Sequence, residues 1–342
     1  MTQQIKKQKY SRFSSTAKRL MLRAFMIDLV IILFGLGAFY WFLYVLPRYS
    51  PSGEEPLVIR PTPALTPPPA SQPSQSAELE ATPTPYMGMF GARFPDKFTD
   101  GETFIGENQY RSPNMSITIT TGQAYDSVYY VADVYIKDIN PFFTAFASGD
   151  YEVFKRKFPL DIANDNDAIF AISGDYCQLD TEGLVIRNGV LYRTTPSDED
   201  VCILYHDGVM EAYEDHDVNI DEVIKRGAYQ AWAFGPVLVK EGQAITKYRG
   251  NMANSHNPRA AIGYYEPGHY CFILVDGRQD DYSVGMTLPQ LAEIFEGLGV
   301  SMAYNLDGGA TAAMCFNGRL YSRPHDGGRR SSDIIYFKET SK

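Results

Sequence analysis

Cysteine, tryptophan and histidine are scarce in this chain of 342 residues, which has four Cys, two Trp and five His. No two cysteines stand in CxxC spacing and no Cys/His cluster occurs, which removes the zinc-ribbon and zinc-finger classes. No motif recurs at a fixed period, so solenoids and propellers are excluded. Positive charge is short as well. From Tyr86 onward there are 22 basic and 36 acidic residues, about −14, and so acidic a region does not suit a nucleic-acid binder, whose phosphates are held by basic faces. Any anionic substrate must be gripped by a few placed arginines.

The chain is otherwise rich in core-forming residues, at 44% hydrophobic and 21% charged, enough for a sizeable globular core. Its N-terminus reads differently. Residues 1–23 carry seven Lys or Arg and no acid, and an uncharged apolar run from Leu29 to Leu46 follows. With no small-x-small cleavage site after it, the pattern predicts an uncleaved transmembrane anchor over 24–46. The positive-inside rule then makes the protein single-pass, with a cytoplasmic N-terminus and an extracellular remainder. Residues 47–85 hold eleven of the 21 prolines, interleaved with Thr, Ser and Ala, and are expected to form a semi-extended stalk rather than a core. The domain is expected over 86–342.

All four cysteines (Cys177, Cys202, Cys271, Cys315) fall in that domain. Four allow three pairings. A Cys177–Cys202 bridge would close a short loop, worth about 3 kcal/mol in the chain-entropy model; the alternative is four small buried thiols.

Turn chemistry dominates the domain. VIRNGVLYR, LYHDGVMEAY, YYEPGHYCFILV and MCFNGRLYS each set Asn-Gly, Asp-Gly or Pro-Gly between β-rich arms and predict hairpins. Helices are expected over 141–157, near 158–164, near 220–226 and in TLPQLAEIFEGLG. In the last, Thr287 and Gln290 have capping-box spacing, Leu288, Leu291, Phe295 and Leu298 share a face, and Gly297 and Gly299 stop it. The expected class is α+β, a mixed or antiparallel sheet with flanking helices.

Candidate chemistry gathers where predicted strands run into a polar residue and glycine, because Gly lets ligand and backbone approach closely. Four such ends occur: AIFAISGDYC, CFILVDGRQ, AYNLDGGAT and YSRPHDGGRR. Singly, each is ordinary Asp-Gly turn chemistry. His256, His269 and His325 read as turn or surface residues.

AIFAISGDY, AFGPVLVKEG, NPRAAIGYYEPG, ILVDGRQ, YNLDGGATAAM and RPHDGGRRSSDIIYF occur in that order. As a set they resemble the phosphodiester glycosidases, the family that includes the lysosomal enzyme uncovering mannose 6-phosphate tags and bacterial exopolysaccharide-related proteins. The resemblance covers roughly residues 165 to 337. It implies cleavage of a sugar from a glycosyl phosphodiester, with a glycosyl-phosphate glycan or wall polymer as partner. Matching positions are Asp175, Asp276, Arg278 and Asp307 as catalytic residues, and Arg259, Asn305, Gly308, Gly309, Thr311, Arg323 and Asp326 as substrate-binding residues. The sequence departs from many members at Ser173, where they have Asn, and at Ala310 or Thr311, where they have Ser.

These residue types suit that chemistry. A phosphate leaving group is already a stable anion, so arginines such as Arg278 and Arg259 can replace the acid of the usual carboxylate pair. Asp307 would then act as nucleophile or base, with Asp276 or Asp175 positioning sugar hydroxyls and Asn305 and Thr311 bonding the sugar. No cofactor is required, although aspartates at loop ends are also what calcium takes. A non-catalytic polysaccharide-binding module and a transferase remodelling wall polymer remain the alternatives.

Overall fold

A computed structural model describes residues 57–60, 90–214, 218–248 and 252–340. Within them the chain folds as three antiparallel β-sheets. The largest has nine strands in the order 243–244, 237–240, 302–306, 259–266, 269–275, 127–136, 115–124, 109–111 and 104–105. A six-stranded sheet runs 57–58, 190–193, 185–187, 228–233, 201–205, 210–213, and a five-stranded sheet runs 319–320, 314–316, 170–173, 333–337, 142–146.

The four predicted hairpins form as read. In two of them both turn residues take positive φ, Asn188 with Gly189 and Asn317 with Gly318, as a two-residue turn matching strand twist requires. A fifth hairpin pairs Met115–Ala124 with Ser127–Ile136 through Tyr125 and Asp126, both at φ 53.

One face of the nine-stranded sheet (Ile117, Ile119, Ala132, Val134, Ile262, Phe272, Leu274, Tyr304, Leu306) meets Phe142, Phe170, Ile172, Met314 and Phe337 of the five-stranded sheet and Cys202, Leu204 and Trp232 of the six-stranded one in a shared core. The opposite face (Val131, Ala261, Ile273, Val275, Ala303) is covered by the longest described helix, Leu288–Leu298. The expected capping box is present: the Thr287 hydroxyl accepts from Gln290 N–H, the Gln290 side chain accepts from Thr287 N–H, and Gly299 ends the helix at φ 77. Burying Leu288, Leu291 and Phe295 contributes roughly 6 kcal/mol before entropy; Leu298 is exposed.

The expected class is corrected by this architecture. The fold is mostly antiparallel β, with three short α-helices among the described residues (Pro159–Asp165, Ile220–Arg226, Leu288–Leu298). The helix expected over 141–157 is instead the strand Phe142–Phe146, whose side chains alternate between buried and half-buried, and a turn at Gly149. Its Phe and Thr fit a half-buried pleat better than a helix.

The membrane anchor is a second correction. Among the described residues no helix is long and apolar enough to cross a membrane, and the expected basic tail and span, 1–23 and 24–46, lie outside the described residues. The single-pass localisation is accordingly not carried further. Most of the expected stalk also lies outside them, but Leu57–Val58 pairs with Val190–Leu191, and Ile59 is buried against the six-stranded sheet.

Candidate functional site

Three strand ends meet where the nine-stranded and five-stranded sheets adjoin. Register puts Arg259 opposite Val275 and Ala260 opposite Leu306, so the segments leaving these strands, 276–279 and 307–311, emerge beside the 257–259 turn. The N–H of Asp307 donates to Gly174 O at 2.9 Å, joining them to the end of strand Phe170–Ser173.

Asp307 is 8% exposed. Its Oδ2 accepts from the Thr311 hydroxyl at 2.6 Å, and Ser173 Oγ donates to Thr311 O at 2.7 Å, so the Asp-Gly-Gly turn is pinned from below. Among the described residues Oδ1 carries no hydrogen bond. Burial pushes the carboxyl up to about 6, against the opposing pull of the Thr311 hydrogen bond and the Arg329 charge. Gly308 is required by packing, since a Cβ there would lie 2.7 Å from Pro258 O; Gly309, at φ 62, would place one 3.2 Å from Arg278 Nη2.

Arg278 therefore lies over the Asp-Gly-Gly turn. It adopts φ 60 and forks onto Asn257 Oδ1 through Nε at 3.3 Å and Nη2 at 2.8 Å. Arg259 lies beneath, donating to Met286 O and Ser255 O at 2.9 and 2.8 Å. Burial, then the charge of Arg278, lowers it to about 10. The two guanidiniums are close enough for the charge of one to act on the other, and so close a pair of cations favours an anion beside them. Arg329 adds a third: its N–H donates to Ala310 O at 2.7 Å and its charge acts on Asp307.

The other aspartates are occupied. Asp276 accepts from the hydroxyls of Tyr130 and Tyr282 at 2.9 and 3.0 Å and from Arg323 N–H at 3.1 Å. Burial still raises its carboxyl above the ordinary range. It holds the 323 turn against the sheet, while the Arg323 guanidinium stacks on Tyr282 at 4.6 Å.

Asp175 is fully buried and accepts from Arg187 Nη2 at 2.5 Å, Cys177 N–H at 3.3 Å and Ala233 N–H at 3.2 Å. Asp333 sits beside it, accepting from Asp175 N–H and Tyr176 N–H at 3.1 and 3.0 Å. Burial and the neighbouring Asp175 push the Asp333 carboxyl up. Among the described residues Asp175, Cys177 and Asp333 form the only group able to supply three metal ligands. Arg187 already provides the cation there, and a thiol buried to a raised pKa is a poor partner for calcium. Asp276, Asp307 and Asp326 do not join this group.

The structure thus brings together Asp307, Gly308, Gly309, Thr311, Arg278 and Arg259. Asn305 is engaged by the 235 turn, donating to Gly235 O at 2.7 Å, and among the described residues its buried Oδ1 has no hydrogen bond. Asp326 is a solvent-facing turn residue at φ 52, paired with His325 at 3.1 Å. His269 is not a turn residue; it stacks between Tyr135 and Tyr265 and bonds Asp133 at 2.7 Å. All four cysteines are free and buried, so the Cys177–Cys202 bridge is not made. Sequence reasoning missed Arg329, Asn257, Arg187 and Asp333. Arg329 lay within the RPHDGGRR stretch; Arg187, on an ordinary hairpin arm, carried no local signal.

A family model described as phosphodiester glycosidase matches residues 166–338. The chain is 31% identical over 184 residues to the SPbeta prophage-derived uncharacterized protein YomE of Bacillus subtilis (strain 168), covering 52% of this chain and 28% of that protein. It is 32% identical over 99 residues to mouse N-acetylglucosamine-1-phosphodiester alpha-N-acetylglucosaminidase, covering 27% and 19% respectively. The chain therefore spans less than a third of each of these relatives. The solved zebrafish N-acetylglucosamine-1-phosphodiester alpha-N-acetylglucosaminidase catalytic domain, auto-inhibited by pro-peptide, superposes with a TM-score of 0.58 at 22% identity, over 70% of this chain and 88% of that one, a likeness of fold.

Proposed function

The chain belongs to the phosphodiester glycosidase family, and from that premise we propose that it hydrolyses a sugar from a glycosyl phosphodiester, with Asp307 as general base. One observation carries the assignment: of the strand-end aspartates Asp175, Asp276 and Asp307, only Asp307 keeps a carboxylate oxygen free of donors among the described residues, beside Arg278 and Arg329. Asp276 and Asp175 are saturated and serve as structural anchors.

In this reading the phosphate lies between Arg278 and Arg329, with Arg259 reinforcing the field from below. The guanidiniums stabilise the charge that develops as the bond between the anomeric carbon and the phosphate oxygen breaks. The departing phosphate monoester needs no proton at neutral pH, so no second carboxylate is called for. Asp307 Oδ1 takes the proton of the attacking water. Thr311, bonded to Oδ2, fixes the direction of the free oxygen, and a carboxyl raised to about 6 is a better base near neutrality than an ordinary aspartate. Gly308 and Gly309 keep side chains out of the approach.

Hydrolysis of a glycosyl-phosphate diester in ¹⁸O-water tests both the reaction and the bond broken. Label in the released sugar and none in the phosphate is expected. Label in the phosphate would mean phosphodiesterase chemistry, and polymer binding without release would return the protein to the class of binding modules.

A further inference from the structure

Beyond the candidate site, cationic and aromatic side chains form a ridge in a domain that is otherwise strongly acidic. The segment 154–158 (Phe-Lys-Arg-Lys-Phe) is pinned to the segment after Arg329 by reciprocal backbone hydrogen bonds, Lys157 N–H to Ser331 O at 3.0 Å and Ser331 N–H to Lys157 O at 2.8 Å. Phe154 and Phe158 are 42% and 39% exposed. Arg156 lies over the Phe154 ring at 5.7 Å and Arg330 over Phe158 at 5.5 Å. Arg156 Nη1 also donates to the Tyr176 hydroxyl at 3.1 Å, and Arg329 approaches the same ring at 5.9 Å. The ridge is therefore continuous with the candidate site through Tyr176, the residue after Asp175. Among the described residues none of Lys155, Arg156, Arg329 and Arg330 has a carboxylate within ion-pair distance. Lys157 is paired with Asp165, and the acids of the loop itself, Asp150 and Glu152, precede the ridge.

Cations left without counter-charges, stacked on exposed rings and leading away from the candidate site, match a ligand that alternates anionic groups with apolar-faced rings. A single diester held by Arg278 and Arg329 would leave this ridge bare. We propose that the ridge formed by Phe154, Lys155, Arg156, Phe158 and Arg330 binds the continuing chain of a polymer of phosphodiester-linked sugars, phosphates on the guanidiniums and sugar faces on the rings. This rests on the reading of the site given above and extends it, because it makes the substrate a repeating polyanion rather than an isolated diester.

The test uses the full chain, as wild type and as the triple variant Lys155→Ala, Arg156→Ala, Arg330→Ala. The probes are a single-unit sugar-1-phosphate methyl diester and a tetramer of the same unit. Equilibrium binding of the tetramer, measured in an Asp307→Asn background, should weaken about tenfold in the triple variant, the sum of three exposed ion pairs, and should weaken with added salt. Kinetics on the single-unit diester should be unchanged. Equal tetramer affinity in the two proteins overturns the proposal. So does an equal loss for dextran sulfate or single-stranded DNA of the same charge, which would make the ridge a general polyanion surface. If wild type leaves the single diester intact while tetramer binding still depends on the three cations, the ridge stands and the catalytic reading falls.

Discussion

Asp307→Asn separates an acid kept for chemistry from one kept for structure, and the structure predicts opposite signs for activity and stability. The carboxyl titrates near 3.8 in the unfolded chain and at about 6 in place. Below about pH 4 both states are protonated and the group is neutral towards folding. Between about 4 and 6 the unfolded chain is ionised while the folded one holds its proton, so stability falls as pH rises, and above 6 the full cost of burying the charge is present. That cost is about 3 kcal/mol. Asparagine keeps the size and an oxygen for the Thr311 hydroxyl but carries no charge. The variant should therefore melt higher than wild type by about 5 °C at pH 7, with the difference vanishing towards pH 4. Turnover should fall at least ~100-fold, about 3 kcal/mol in barrier, and wild-type kcat/KM should rise through about pH 6 and then level. Steady-state rates and thermal midpoints across pH 4–8 decide the matter. Near-normal turnover in the variant, or a midpoint lowered by as much as it was expected to rise, would refute the reasoning.

Arg278→Lys should lower kcat/KM by about 10- to 100-fold with an unchanged thermal midpoint, because an ammonium cannot reproduce a guanidinium fork on phosphate and Asn257; kinetics on a charged diester check it. Gly174→Ala would set a Cβ 1.9 Å from Asp333 Oδ2 and should destabilise by roughly 3 kcal/mol or more, read in a chemical denaturation curve. Arg187→Met leaves Asp175 and Asp333 buried without their cation and should cost about 3–5 kcal/mol at pH 8. The loss should be smaller at pH 5, where Asp333, whose carboxyl burial raises to about 7, takes up a proton; a loss independent of pH would count against a shared charge network.

Much of the local structure was legible from residue order alone, because it depends on neighbours a few positions apart. Asn188-Gly189 and Asn317-Gly318 carry the positive φ their turns need, and Thr287 with Gln290 closes a capping box whatever surrounds it. The motif around Asp307 was equally legible: an apolar run that buries a strand, an acid at its end, and two glycines clearing space. The 141–157 segment misread as helix shows the limit. Its strand exists because Phe337 to Asp333 lie alongside Phe142 to Phe146, a pairing across nearly two hundred positions that no local pattern records.

Which aspartate is free was decided by tertiary structure alone. Asp175, Asp276 and Asp307 look alike in sequence, each beside glycine at a strand end. Asp276 is filled by Tyr130 from the neighbouring strand, 146 positions away in sequence, and Asp175 by Arg187 and Ala233 from another sheet. Only at Asp307 does the fold leave an oxygen open and bring Arg278 and Arg329 from separate loops. A carboxylate's availability is set by the donors that reach it, and those arrive through long-range packing. The sequence determined that an acid would stand at each strand end; the meeting of the sheets determined that one of them keeps an oxygen without a donor.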